Sequence, residues 1–350
     1  MIEEFYKNKR VLVTGHTGFK GSWLCQILKN WGAIVCGVSL NPSTSPNLFS
    51  LAASGKGMES YICDIRDYDS LQSVFTSFKP EIVFHLAAQP LVRESYANPR
   101  YTYETNVMGT VNVLECVRNM RSVKSLVNVT TDKVYQNKEW CWGYREDEPL
   151  DGFDPYSNSK SCSELVTHSY IKSFFADGTV QISTARAGNV IGGGDFSVDR
   201  IIPDCVRAAV VGKPIQVRNP NSVRPYQHVL EPLFAYLLIA QKQWEEPSLA
   251  GYYNVGPNEE DCITTGTLVE TFISKWGEGL TWQCSDSVGP HEANYLKLDC
   301  SRIKTLLKWN PRWNIDIAIE KTVQWYKAWN GRQDVVTCMN EQIAEYNRMR

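Results

Sequence analysis

Residues Arg10-Val11-Leu12-Val13-Thr14 read as a buried strand that runs straight into Gly15-His16-Thr17-Gly18-Phe19-Lys20-Gly21 and then into a helical pattern ending near Trp31. Few folds accommodate a strand, a turn with glycine at every third position, and a helix in such quick succession. Glycine permits the tight turn and lets the backbone come close to a pyrophosphate. The helix start adds unpaired N–H groups and partial positive charge for the phosphates. A lone glycine triplet would be weak evidence, and a plain turn is the bland alternative. The strand before it and the helix after it are the context a dinucleotide site requires. The expectation is an α/β fold with a doubly wound parallel (Rossmann) sheet, and a dinucleotide held at Gly15, His16, Thr17, Gly18, Phe19 and Gly21.

The next strands extend this reading. Ile34–Val38 is a second strand, followed by Ser39-Leu40-Asn41, and no charged residue appears until Lys56. An acid at this position would hold the adenosine ribose of NAD, and a cation would hold the 2′-phosphate of NADP. With neither present, Ser39 can bond the ribose neutrally, and NAD is expected over NADP. A third strand is expected over Tyr61–Asp67, with Asp64 and Ile65 beside the adenine. A fourth, Glu81–Ala88, ends in Leu86, Ala87 and Ala88, small enough to let a cofactor lie close; His85 within it reads as a core histidine. Residues 99–120 read as one helix, with Val107, Val111, Leu114 and Val117 at helical spacing. Strands and helices alternate through about Arg186. The expected division is a cofactor-binding domain over 1–188 and a smaller α+β substrate domain over 189–350, with some segments returning to the first.

Bulk properties exclude several classes. The 350 residues are 43% hydrophobic, enough for a sizeable core, and the net charge of -2 argues against a nucleic-acid binder. The eleven cysteines show no Cys-x-x-Cys pair, which fits reduced thiols and no metal site. The N-terminus is acidic, and the longest apolar run, Leu233–Ala240, is far short of a membrane span. A soluble cytoplasmic protein is expected.

Two constellations carry chemistry. The apolar run Leu126–Val129 leads into Thr130-Thr131-Asp132-Lys133: a hydroxyl donor, an acid and a base at one strand end, where ligands of open α/β sheets bind. Tyr156 and Lys160, four apart behind Asp154-Pro155, share one helix face. An ammonium beside a phenol favours the phenolate, so Tyr156 is expected to have a lowered pKa and to act as a base. A geometric problem attends the first group, because a regular strand points Thr131 and Lys133 one way and Asp132 the other. Beyond it, the glycine-rich run 188–195 and Arg200, Arg207, Arg218 and Arg224 suit a nucleotide's diphosphate.

Gly15, Gly18, Gly21, Thr131, Tyr156 and Lys160 together resemble the extended short-chain dehydrogenase/reductase family over nearly the whole chain. Thr131-Asp132-Lys133 looks like its nucleotide-sugar 4,6-dehydratases. Asp-Lys in place of the Asp-Glu typical for dTDP-glucose or GDP-mannose is similar to the branch acting on CDP-glucose. The segments 89–93, 137–146, 227–229 and 291–299 share that likeness. The resemblance implies catalysis by Thr131, Asp132, Lys133, Tyr156 and Lys160, with NAD as cofactor. It implies a CDP-glucose site built from Gln89, Arg93, Asn189, Arg200, Arg218, Arg224, His228, His291 and Tyr295. Tyr295 is the alternative to Lys133 as the base at the sugar C5. It further implies a homodimer or homotetramer. A 4-epimerase on the same fold would need Tyr156 and Lys160 but not the Asp132-Lys133 pair.

Overall fold

The apolar run behind the glycine turn forms β1 (Arg10–Thr14), an interior strand of a seven-stranded sheet. The computed structural model describes residues 2–277, 279–285 and 295–349. The other strands are β2 (Ile34–Ser39), β3 (Glu59–Ile62), β4 (Ile82–His85), β5 (Ser125–Val129), β6 (Gln181–Ala187) and a final edge strand, Tyr252–Val255. From that edge the order is Tyr252–Val255, β6, β5, β4, β1, β2, β3, and every pairing is parallel. The order reverses between β1 and β4. The chain leaving their carboxyl ends, Thr14 and His85, therefore turns to opposite faces of the sheet, which opens the crevice in which ligands of such sheets bind.

Alternation along the strands divides the core. Val11 and Val13 face a large cluster with Trp23, Leu233, Tyr236 and Trp325. Leu12, Val83 and Leu126 face the opposite cluster, with Phe75, Leu114 and Val117. The first face is covered by the helices Phe19–Asn30 and Leu230–Glu245 and by the C-terminal helices; the second by Tyr68–Phe78, Gly109–Arg118 and Pro155–Phe174. The chain beyond 188 supplies the edge strand and a large share of the first cluster. The sheet is thus not confined to residues 1–188.

Two expected elements differ in detail. The third strand is Glu59–Ile62, so Asp64 lies in the loop beyond it. The expected 99–120 helix is Pro99–Tyr103, a π turn at Glu104–Met108, and Gly109–Arg118. The π turn places Asn106 against two neighbours: its amide donates to Gln89 O at 3.1 Å and Ser159 Oγ at 2.8 Å, while its Oδ1 accepts from Gln89 N at 2.8 Å. The loop after β4 is thereby tied to the helix carrying Tyr156, and such bulges recur at functional sites. His85 is a core residue, bonded to Thr14 at 2.8 Å and Thr110 at 3.1 Å.

The last helix, Val335–Arg348, is anchored by Glu231, which has no solvent exposure. Its carboxyl accepts from Arg312 N at 3.0 Å, Trp313 N at 2.7 Å and the Tyr346 hydroxyl at 2.6 Å. Burial raises its pKa from 4.5 to about 7, against the pull of those donors. The folded state therefore holds a proton that the unfolded chain releases between pH 4.5 and 7. Stability from this group is fully present below that window and is lost as pH rises through it, by about 3 kcal/mol in all. Glu231→Gln keeps the acceptor oxygen but cannot ionise. Urea denaturation of both proteins at pH 5 and pH 8 should show wild type losing stability relative to the variant at the higher pH. An equal gap at both pH values rules Glu231 out as the titrating group.

Candidate active site

β5 ends at Val129, and its ladder closes with Thr130 N donating to Ala185 O at 2.9 Å. Thr131 then caps a single 3-10 turn, Asp132–Val134. This turn resolves the problem of strand alternation, because Asp132 no longer points opposite to Thr131. The Thr131 hydroxyl donates to Asp132 Oδ1 at 3.0 Å, accepts from Lys133 N at 3.4 Å and also interacts with the Tyr156 phenol. Hydroxyl, acid and phenol thus meet at one point, with Lys133 one residue on and half-buried.

The helix Pro155–Phe174 starts where it does because Asp154 caps it. The Asp154 carboxylate takes Ser157 N at 3.0 Å and Ser157 Oγ at 2.5 Å, and Pro155 suits the first position. Tyr156 follows in the first turn, and Lys160 and Glu164 continue the same face at four-residue intervals. Lys160 Nζ donates to Val129 O at 3.2 Å. Glu164 is buried and fully engaged: it accepts from Thr130 at 2.5 Å, Thr184 at 2.7 Å and both arms of Arg186 at 3.0 and 3.1 Å. The face that carries the phenol and amine is therefore clamped to the ends of β5 and β6.

Burial sets the charge states. The Asp132 carboxyl is pushed up by desolvation, outweighing Lys133, Thr131, Arg224 and Lys20. Its Oδ2 has no partner among the described residues, and a Cβ at Gly188 would come within 3.0 Å of it. An acid so enclosed favours its protonated form, as a proton donor must. Lys160 is lowered to about 8 by burial. Tyr156 is raised to about 12 by burial, with Thr131 and Arg200 pulling the other way. This corrects the expectation of a tyrosine lowered by its lysine: a buried phenolate is disfavoured, and the cation acting on the phenol is Arg200.

A cleft of about 520 Å³ runs from these residues along the glycine turn. Gly15, Thr17, Gly18, Phe19, Gly21, Ser39, Asp64, Ile65, Leu86, Ala87 and Ala88 line it, with Tyr156 and Lys160. Gly15 has φ +78°, and a Cβ there would meet Ala87 N at 2.8 Å. Gly18 caps the following helix without a side chain, leaving first-turn N–H groups open to a phosphate. Ser39 and Thr17 bond each other at 2.8 Å. Burial works to raise the Asp64 carboxyl, but Arg66 holds it below its ordinary value through bonds of 2.7 and 2.9 Å. These residues fit a dinucleotide. The His16 side chain does not take part: it is fully buried under β2, packed against Gly37 and bonded to Ser60 Oγ at 2.7 Å.

The substrate-side expectations divide. Arg200 lines the cleft and pairs with Asp195 at 2.9 Å. Arg93 and Arg218 converge on Asp199, at 3.6 and 2.8 Å. Asn189 O accepts from Gln227 N at 3.0 Å, and Arg224 Nη1 donates to Val223 O at 2.9 Å. Tyr295 bridges to Val223, and its carbonyl accepts from Asn137 at 3.1 Å. Two residues do not serve as expected. Gln89 lines the cleft, but its amide is engaged by Thr102 and Leu91, at 2.9 and 2.6 Å, and so is tied first to the shape of its own loop. His228 has no exposure and lies between Trp23 and Trp313, inside the aromatic core. The 188–195 glycines serve packing: a Cβ at Gly193 would strike Trp325, and one at Gly194 would strike Leu48. His291 lies outside the described residues. Sequence reading passed over Glu164, Asn106 and Lys20. Only Lys20 carried a usable signal, a charge inside the glycine turn.

Removing the charge from Glu164 leaves Arg186 buried and unpaired, which typically costs about 3–5 kcal/mol. Glu164→Gln should lose stability of that order in guanidinium denaturation, with the Tyr156 helix loosened. A loss below about 1 kcal/mol would mean the clamp is not holding the helix.

Comparison with known proteins places this geometry in a family. The family model described as GDP-mannose 4,6 dehydratase matches residues 12–322. A CDP-glucose 4,6-dehydratase of Salmonella typhimurium is 48% identical over 99% of this chain and 98% of its own. A probable dTDP-glucose 4,6-dehydratase of Sinorhizobium fredii is 29% identical over 91% of this chain and 92% of its own. Among solved structures, a UDP-glucose 4-epimerase of Thermus thermophilus in complex with NAD superposes with a TM-score of 0.79 at 25% identity, covering 91% of this chain and 99% of that one. With the match spanning sheet, glycine turn and catalytic helix alike, the chain belongs to the GDP-mannose 4,6-dehydratase family, within the extended short-chain dehydrogenase/reductases.

Proposed function

We propose that the protein removes water from CDP-D-glucose to give CDP-4-dehydro-6-deoxy-D-glucose, using NAD that ends each cycle unchanged. One observation carries this reading: the buried Asp132 carboxyl, followed by Lys133 and joined through Thr131 to Tyr156. A 4-epimerase needs the phenol but has no use for a second acid–base pair. The 48% identical Salmonella relative supports CDP-glucose in particular. The neutral adenosine end of the cleft, Ser39 to Asn47, supports NAD over NADP.

Bound NAD+ supplies the acceptor for the C4 hydride and the donor of the hydride delivered to C6. The residues handle protons and position. Tyr156 takes the proton of the 4-hydroxyl, with Thr131 bonding at that oxygen. The phenol must become more acidic to do so, and Arg200 acts in that direction. The 4-ketone acidifies the C5–H, and Lys133 removes that proton. Asp132, favoured in its protonated form by burial, gives its proton to the departing 6-hydroxyl, which leaves as water; once a hydride has reached C6, Lys133 returns its proton to C5, and the proton taken up at Tyr156 makes good the one lost from Asp132.

The same reading includes a homodimer or homotetramer. Leu165 and Phe174 on the catalytic helix, Tyr96 and Met108 are exposed large apolar side chains; the elements carrying Tyr96 and Met108 pack against the catalytic helix, which suits contact with a second copy. A stable monomer at micromolar concentration in light scattering contradicts this. No described helix is long and apolar enough to cross a membrane, and the free cysteines suit a reducing cytoplasm.

Incubation with CDP-, dTDP-, GDP- and UDP-glucose, with product mass analysis, tests the assignment. CDP-glucose should lose one water far faster than the others. Equal or better turnover of dTDP-glucose overturns the choice of base, and a product of unchanged mass points to epimerisation. With enzyme in excess, Lys133→Ala should slow water loss by about 10²–10⁴-fold while nicotinamide absorbance still appears. Tyr156→Phe should show neither. Normal turnover by Lys133→Ala removes it as the C5 base and makes Tyr295 the next candidate.

A further inference from the structure

One charged side chain in the cleft is left without a task. Lys20 is the second residue of the helix Phe19–Asn30. Half-buried, it lines the cleft with Tyr156, Lys160, Asp195 and Arg200. Among the described residues its ammonium has no hydrogen bond or ion pair. The other basic groups at this end are satisfied: Arg200 by Asp195 at 2.9 Å, Lys160 by Val129 O at 3.2 Å.

Charge is unbalanced here. Burial, with Arg200 and Lys160 adding to it, lowers Lys20 to about 8 against the pull of Asp132 and Asp195. Asp195 is already engaged with Arg200 and with Ser197 N at 3.0 Å. Asp132 is held toward its neutral form. Lys20, Arg200 and Lys160 thus lie together in a wall that water only partly screens, with Asp195 already committed to Arg200. Unpaired buried charge is unfavourable, and an anionic group entering between Lys20 and Arg200 would relieve it. Two phosphates presented together match two cations flanking a helix start.

We propose that Lys20 is a ligand-binding residue whose ammonium pairs with a diphosphate lying between the start of the helix Phe19–Asn30 and Arg200. The proposal rests on the reading that the cleft takes a dinucleotide and a nucleotide sugar, each of which brings one diphosphate. The plain alternative is a lysine whose stem covers the cleft wall while its charge reaches solvent.

Lys20→Met preserves the stem and removes the charge; Lys20→Arg keeps the charge. Calorimetry on the full chain at fixed salt, with NAD+ and with CDP, should show at least one binding about 10–100-fold more weakly to Lys20→Met. Lys20→Arg should recover most of that loss. Weakened NAD+ assigns the cofactor's diphosphate, and weakened CDP the substrate's. Adenosine and cytidine, which carry no phosphate, should bind the variant as they bind wild type. Lys20 is overturned if NAD+ and CDP both bind Lys20→Met within about twofold of wild type, or if the nucleosides weaken by the same factor. If wild type binds UDP or dTDP in place of CDP, the substrate reading fails, and Lys20 is judged on NAD+ and on the nucleotide that binds.

Discussion

The buried pairing of Glu164 with Arg186 is the contact on which the active end of this molecule depends. One carboxylate joins the helix Pro155–Phe174 to Thr130 at the end of β5 and to Thr184 and Arg186 on β6. Arg186 reaches on to the Tyr135 hydroxyl at 2.8 Å and Glu146 O at 3.0 Å, just beyond the Asp132–Val134 turn. The residues that must act together therefore sit on elements locked to a single point. A buried ion pair is poor evidence for stability as such, since desolvation offsets much of its attraction. Its value here is positional: helix, strand end and turn cannot shift independently without exposing an unpaired charge.

Burial around that point also decides which groups hold protons. It pushes Asp132 and Tyr156 up and Lys160 down, in every case against the charged form. For Asp132 this suits proton donation. For Tyr156 it opposes base chemistry, and the opposition comes from the same dry environment that makes Arg200 and Thr131 effective on the phenol. A site of this kind relies on charges placed close by, because solvent is too scarce to stabilise ions.

Much of this was legible along the chain. The order of strands, the glycine turn and the Tyr156–Lys160 spacing are local patterns, fixed by periodicity and by what glycine alone permits. The third strand and the 99–120 helix were misjudged where local preference gave way to contacts from afar. Asn106 bonds Gln89 and Ser159, and the helix opens into a π turn there. Gln89 and His228 read as ligand residues because they lie in segments that look like a substrate site. Their side chains proved to be occupied by Thr102, Leu91 and the aromatic core, and nothing in the order of residues indicates which neighbours a side chain will meet.

Sequence by itself determined the α/β class, the dinucleotide turn and the residue types of the acid–base set, because each depends on spacing within a few residues. Tertiary structure alone decided that Thr131, Asp132 and Tyr156 converge, since that needs the strand to break into a 3-10 turn and a helix from residues 155–174 to pack against it. It alone decided the proton-holding states, because desolvation is a property of everything that surrounds a group. It alone shows Lys20 unpaired among the described residues and beside Arg200, two residues 180 positions apart whose repulsion exists only once the sheet has brought the glycine turn to the far loop.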